Sequence, residues 1–455
     1  MRNWLPNSLT RRLEVNPHTR TLSASPPLVL ALGFMALIIV GAVLLSLPQA
    51  AEQRLSIFQA LFMATSAVTV TGLAVIDPAT DLTHFGQIVL ALLVQIGGMG
   101  FVTFAVIAAI TMHKRISVSQ QALALEAFNQ TSVSRIRSTA FQVFKIAALI
   151  ELIAAAILFL RWTIDLPWTT ALYRALFHAV TAFNNAGFSL FHDSLIPISG
   201  DLVSVLTLSG LIILGGIGFT VLADVGQKKR WQTLLPYTKL ILIGTLILNL
   251  IGFFSLWALE FNNPKTLGML GVGDQALAAW MQNAATRTAG FTTMDIASLR
   301  DSTQLTLIVL MLIGGGSLST ASGIKIGTLI VLMAAVRSYI RQREEVVLME
   351  RSVAPETVQK ALALFLITGA LYFISVLLLT LFEDMPITSL LFEAASALST
   401  TGMSHGITHK LSTPSQIMIM VLMFAGRLGP LTLIYSLATR KRSRIRYPEG
   451  NFQVG

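Results

Sequence analysis

Four short apolar runs, each closing on a glycine, constrain this chain more than any other feature. The first, Ile57–Val68, leads into Thr69-Val70-Thr71-Gly72-Leu73. Residues 169–182 lead into Asn184-Asn185-Ala186-Gly187-Phe188, and 274–286 into Arg287-Thr288-Ala289-Gly290-Phe291. The fourth, Ile387–Ser399, leads into Thr400-Thr401-Gly402-Met403. A helix of about 12 residues rises only about 18 Å, whereas a bilayer's hydrocarbon core is roughly 30 Å thick. Such a run must re-enter. Irregular backbone at that depth is tolerated only where it is buried in protein or lines a water-filled path.

Longer apolar runs flank each short one. They fall at about 27–47 and 85–112, 140–160 and 203–225, 237–259 and 305–336, and 357–382 and 416–437. Gly72, Gly187, Gly290 and Gly402 are 115, 103 and 112 residues apart, with the same order of elements around each. That is an internal repeat. The expected fold is an all-α polytopic membrane protein of four helix–pore loop–helix repeats, with pseudo-four-fold symmetry around one pore. The division reads as a tail (1–26), repeat one (27–112), a connector (113–138) and repeat two (139–225). A connector (226–236), repeat three (237–336), a connector (337–356), repeat four (357–438) and a tail (439–455) complete it.

Mean hydropathy is +0.72 and 12% of residues are charged, against roughly 25% in a soluble domain. The apolar runs do not alternate as barrel strands would. With no cysteine, disulfides, thiol chemistry and iron–sulfur ligation are excluded. The seven histidines lack ligand spacing such as His-Glu-x-x-His and no acid pair lies in a spanning run, so no enzyme is expected. Inverted repeats, common in secondary transporters, do not fit repeats that share one orientation. The N-terminus lacks the plan of a cleaved signal peptide.

The net charge of +10 raises nucleic acid as a partner, but its placement is that of topology signals. Basic residues mark the N-terminal tail (Arg2, Arg11, Arg12, Arg20), the connectors (Lys114, Arg115, Arg135, Arg137; Lys228, Lys229, Arg230; Arg337, Arg341, Arg343, Arg351) and the C-terminal tail (Arg440, Lys441, Arg442, Arg444, Arg446). Segments beside the short helices are acidic or neutral, with Asp77, Asp165, Asp193, Asp201, Asp295 and Glu383 among them. Both termini are therefore expected in the cytoplasm, with the glycine loops opening outward, and no nucleic-acid partner is expected.

A carbonyl filter replaces an ion's hydration shell with backbone oxygens. Aiming consecutive carbonyls at one axis needs a backbone that a Cβ resists, hence glycine. The C-terminal ends of the four short helices favour a cation between them. The expected K⁺ filter comprises Thr69, Val70, Thr71, Gly72, Asn185, Ala186, Gly187, Thr288, Ala289, Gly290, Thr400, Thr401 and Gly402, with the threonine hydroxyls nearby. Close helix packing is the bland reading of one such glycine; four in the same place favour the filter. Arg287 reads as a brace behind its loop, Asn184 and Asn185 as amide ties, and His178 and Glu393 as packing or capping groups. Asp77 is either a cation-concentrating group at the mouth or an ordinary solvated acid.

Repeat three departs from the others. Residues 312–325, with Gly314, Gly315, Gly316, Ser317, Ser319, Thr320, Ser322, Gly323 and Lys325, interrupt an apolar run, and each glycine costs a helix about 1 kcal/mol. The run is expected to break there, in this repeat alone, and to cross the pore. A nucleotide-binding glycine loop is excluded by the missing Gly-Lys-Ser/Thr ending. Arg427, inside the last apolar run, either hydrogen-bonds freed carbonyls and snorkels, or lies below the filter and contacts the broken loop. Lys325 either shares that role or reaches the cytoplasmic interface.

The four loops, together with Gln95-Ile96-Gly97-Gly98-Met99-Gly100, Leu214-Gly215-Gly216-Ile217-Gly218 and Arg446-Tyr447-Pro448-Glu449-Gly450, resemble the Trk/Ktr/HKT superfamily of K⁺ transporters, and the Ktr-type membrane subunits most. The resemblance covers nearly the whole chain. It implies a homodimer with one pore per protomer, K⁺ preference where all four loops carry glycine, and a gate at residues 312–325. It also implies a bacterial inner-membrane location and a cytoplasmic ring of RCK domains that binds ATP or ADP. Na⁺ stimulation is common among such relatives, with Na⁺ as an activator. The connector 113–138 is too short to hold a nucleotide-binding domain itself. The tail 446–455 resembles a segment near the dimer interface.

Overall fold

The computed structural model describes residues 26–100, 133–228 and 230–429. Both tails, residues 101–132, Lys229 and the end of the fourth repeat lie outside the described residues, and so do the basic residues read there as topology signals. Among the described residues the regular structure is helical apart from two isolated bridges and a short antiparallel hairpin, β1 (Val347–Leu348) and β2 (Arg351–Ser352), paired Val347 to Ser352 and Leu348 to Arg351.

Repeat one contains α1 (Pro26–Leu45), α2 (Ile57–Val68) and α3 (His84–Gly98). Repeat two contains α4 (Val133–Trp162), α5 (Trp168–Phe183), α6 (Leu202–Ile217) and α7 (Phe219–Gln227). Repeat three is α8 (Pro236–Glu260), α9 (Val272–Thr286), α10 (Asp301–Leu312) and α11 (Ile326–Ile340). Repeat four is α12 (Pro355–Phe382), α13 (Ile387–Ser399) and α14 (Thr413–Leu428). By length and composition α4, α8 and α12 can each cross a membrane, and α6 with α7 forms a bent candidate span. Exposed Ile153, Phe254 and Phe373 on the three long helices offer lipid an apolar surface.

The short helices start where local chemistry permits. Ser56 and Gln59 form a reciprocal capping box at α2, with Gln59 N donating to Ser56 Oγ (3.1 Å) and Ser56 N to Gln59 Oε1 (3.0 Å). Each short helix packs between the other helices of its own repeat. Each is also touched by the second helix of the preceding repeat: α3 packs on α5, α6 on α9, α10 on α13, and α14 on α2. The last contact closes the circle, so the short helices form the inside of the assembly.

The flanking helices of a repeat are clasped beside the short one. In repeat three the buried Glu260 carboxylate at the end of α8 accepts from Asn263 Nδ2 (2.6 Å), Thr266 Oγ1 (2.6 Å), Arg300 N (3.0 Å) and Thr303 Oγ1 (2.5 Å). It thereby holds the start of α10. Glu383 does the same for α14 through Ser412 N (2.8 Å), and Arg161 reaches Asp201 (2.9 Å) at the start of α6. Glu260→Ala is expected to destabilise the protein by about 2–4 kcal/mol, because it strips several buried donors of their acceptor. Thermal unfolding in detergent checks this.

Two expectations about the second helices are corrected. The run 203–225 is not continuous: it stops at Ile217, turns through Gly218 at φ 103°, and resumes in α7 at 99° to α6. Nor is repeat three alone in breaking. α3 ends at Gly98, α10 at Leu312 and α14 at Leu428, followed by Gly429 at φ 83°. All four second helices thus stop after 12 to 16 residues. Among the described residues, what sets repeat three apart is the irregular stretch 313–325 between α10 and α11. α4 also includes residues 133–138, inside the expected connector, since nothing in that stretch breaks a helix.

Candidate functional site

The four short helices end at four glycine loops that share one backbone register. Val70, Asn185, Thr288 and Thr400, each two residues before its glycine, have φ of 56°, 57°, 66° and 51°. Gly72, Gly187, Gly290 and Gly402 follow at 94°, 67°, 76° and 95°. Left-handed conformations at β-branched valine and threonine are strained, and they persist only where the surroundings impose them.

The loops meet in a ring. A Cβ added at Gly72 would run into the Ala186 carbonyl oxygen, one at Gly187 into Ala289 O, one at Gly290 into Thr401 O, and one at Gly402 into Thr71 O. In every loop the carbonyl of the residue before the glycine therefore faces the glycine of a neighbouring loop. The Thr69, Thr71 and Thr401 hydroxyls are engaged within their own loops, whereas the buried Thr288 Oγ1 has no protein partner. Thr69 Oγ1 donates to Thr65 O (2.7 Å) and lies 2.8 Å from Thr71 Oγ1; Ser399 Oγ donates to Ala395 O and lies 2.7 Å from Thr401 Oγ1.

The loops differ in what supports them. Asn184 donates to Gln95 Oε1 (2.6 Å), and Gln95 in turn donates to the buried Glu151 (3.2 Å). This trio was not read from the sequence, since its members lie far apart along the chain. His178 is fixed by Arg174 O (2.8 Å) and Ser189 Oγ (3.0 Å), and Glu393 by Ser404 Oγ (2.8 Å) and Thr408 Oγ1. Both are packed groups. Asp77 pairs with His192 at 2.5 Å and caps Ala79 N, so it is not a free acid. The hydrogen bond donated to Asp77, with the Asp77 and Asp193 charges, raises the exposed His192 imidazole above its ordinary value.

The 313–325 loop is pinned from several sides. Gly316 N donates to Gly216 O (2.8 Å), Thr320 N to Gly215 O (3.2 Å), and Phe219 N to Leu318 O (2.9 Å), so it rests on the break between α6 and α7. Thr320 Oγ1 donates to Phe183 O (3.2 Å) and lies 3.2 Å from the Asn185 side chain, one residue from the ring. Arg427 donates to Thr320 O and to Gly97 O (2.7 Å) and Gly98 O (2.8 Å). One side chain from repeat four thus joins the loop of repeat three to the helix end of repeat one. Lys325 Nζ turns onto Ala321 O (2.5 Å) and stays in the loop. Arg287 is buried behind its own loop, as a brace would be, and also reaches Gly314 O (3.2 Å). The loop's seats on Gly215 and Gly216, and the Arg427 bonds to Gly97 and Gly98, were missed as contacts, although those glycine clusters stand out in the sequence.

Residues 33–444 match the family model described as TrkH, cation transport protein. The Ktr system potassium uptake protein B of Bacillus subtilis (strain 168) is 44% identical over 95% of this chain and 97% of its own length. Its namesake in Vibrio alginolyticus is 41% identical over 94% and 95%. The potassium/sodium uptake protein NtpJ of Enterococcus hirae is 32% identical over 95% and 97%. The crystal structure of the potassium transporter TrkH from Vibrio parahaemolyticus has the same fold, with a TM-score of 0.71 at 19% identity, covering 94% of this chain and 87% of that one. The chain belongs to the TrkH family of cation transport proteins, a family of transporters and not of enzymes.

Proposed function

We propose that this protein is the K⁺-translocating membrane subunit of a bacterial Ktr-type uptake system. The observation that carries the reading is the ring, in which four in-register carbonyls face four left-handed glycines. A dehydrated cation needs oxygens held at fixed spacing, and a ring of backbone carbonyls can supply them without a carboxylate. The C-terminal ends of α2, α5, α9 and α13 add a negative potential there. Two relatives named as potassium uptake proteins support K⁺ as the ion.

The 313–325 loop is the gate in this reading. It lies next to the ring, is glycine-rich and poor in helix propensity, and is held by hydrogen bonds that a small displacement would break. Arg427 locks it by bridging repeats one, three and four. The glycine loops open outward, both termini are cytoplasmic, and the location is the inner membrane. A homodimer has one such pore per protomer. A separate cytoplasmic RCK-domain subunit, binding ATP or ADP, moves the gate; the relatives' description as parts of a Ktr system supports a partner subunit. Na⁺ acts as a stimulant, a reading favoured by the name of the potassium/sodium relative.

Growth of K⁺-uptake-deficient bacteria at low K⁺, with and without the cytoplasmic subunit, tests this. Rescue is expected, and stronger with the subunit. Failure in both conditions by a well-expressed protein would contradict it.

A further inference from the structure

Three of the four loops turn the side chain three residues before their glycine back onto their own short helix. Thr69 Oγ1 donates to Thr65 O (2.7 Å), Asn184 Nδ2 to Val180 O (2.9 Å), and Ser399 Oγ to Ala395 O (2.6 Å). Arg287 holds that position in the third loop and does the opposite. Its guanidinium leaves α9 and donates to Thr245 O on α8 (3.4 Å) and Gly314 O on the 313–325 loop (3.2 Å).

The backbone there differs too. Thr71 N, Ala186 N and Thr401 N each donate to the carbonyl five residues back, at 2.8 Å. In the third loop Ala289 N and Gly290 N both converge on Ala285 O instead, at 2.9 and 3.0 Å. Arg287 sits at ψ 62°, where Thr69 and Asn184 sit at −3° and 0°.

The Arg287 charge is buried, and no carboxylate pairs with it among the described residues. Its Nε has no protein partner, and a cavity of about 10 Å³ beside it is lined by Thr245, Asn249, Gly216 and Gly315. A buried cation with two carbonyl partners cannot lose one cheaply. Displacement of Gly314 therefore pulls on Arg287, which adjoins Thr288 and the Ala289 carbonyl that faces Gly187.

We propose that Arg287 is a positioning residue through which the 313–325 loop sets the geometry of the third quarter of the ring, so that discrimination between K⁺ and Na⁺ depends on the state of the gate. This rests on the filter and gate reading above. It adds that opening alters selectivity as well as flux.

The test is a double-variant cycle on K⁺, Rb⁺ and Na⁺ flux through the full-length protein in liposomes, comparing wild type, R287Q, removal of residues 314–323, and both together. Removal of the loop is expected to raise flux and to lower K⁺/Na⁺ discrimination about tenfold, the worth of one charge-assisted hydrogen bond. R287Q is expected to lower discrimination by a similar factor, the combination by no more than either alone, and R287K to restore most of it. If loop removal leaves flux unchanged, the gate reading fails and the coupling fails with it. If flux rises with discrimination unchanged, the coupling alone is overturned, whether or not R287Q folds. Independent, multiplying effects of the two changes overturn it as well.

Discussion

Gly290→Ala is expected to abolish K⁺ uptake while the protein still reaches the membrane. Gly290 has φ 76°, where a residue with a Cβ costs about 1–2 kcal/mol. The added methyl would also meet the Thr401 carbonyl and the Gly402 backbone, 3.1 Å from the Gly402 Cα. Those atoms are backbone, so no flexible side chain can swing away. Overpacking of this kind costs a further 1–3 kcal/mol, roughly. The ring can relieve the clash only by widening, which moves the carbonyls that are proposed to replace water. A loss of about thirtyfold or more in Rb⁺ uptake is expected, with K⁺/Na⁺ discrimination lost in whatever flux remains. Uptake assays with membrane expression checked by immunoblot decide it. Normal uptake with normal discrimination would remove Gly290 from the ion path.

Arg427→Gln is expected to act in the other direction. Arg427 donates to three carbonyls, Thr320 O on the loop and Gly97 O and Gly98 O at the end of α3. Each charge-assisted bond contributes about 1.5–3 kcal/mol, and a glutamine amide can replace at most part of that set. The seats on Gly215 and Gly216 survive, so the loop is loosened and the fold is kept. Basal K⁺ flux without the cytoplasmic subunit is expected to rise about tenfold, and the subunit's added effect to shrink. A fall in flux, from protein present at normal levels, would mean that Arg427 supports the open pathway instead.

How far these features were legible in the sequence depends on what kind of physics encodes them. Hydrophobic run length and glycine spacing encode the short helices, and α2 and α13 begin and end where those runs do. The break at 313–325 was visible because three consecutive glycines followed by serine and threonine are poor helix formers. The breaks in the other second helices were hidden from hydropathy, because Ile217 and Phe219 are apolar on both sides of Gly218. The average stays high while the axis turns. The better signal was the recurring glycines Gly97-Gly98, Gly215-Gly216 and Gly426, each within two residues of the end of a second helix.

Side-chain direction was the least legible. The burial of Arg287 behind its loop follows from the cost of placing its charge in a cation path, but its reach to Gly314 depends on a backbone turn that no residue type announces. Likewise Thr69 and Thr71 looked available to an ion, yet they bond to α2 and to each other. A hydroxyl near a helix end often returns to the backbone four residues earlier, and that local alternative went unweighed.

The most direct test of the central claim is flux of K⁺, Rb⁺ and Na⁺ into liposomes holding the purified protein. A ring of carbonyls at fixed spacing is expected to pass K⁺ and Rb⁺ at similar rates and Na⁺ at least about tenfold more slowly. Equal passage of all three ions by folded protein would contradict a carbonyl filter at Gly72, Gly187, Gly290 and Gly402.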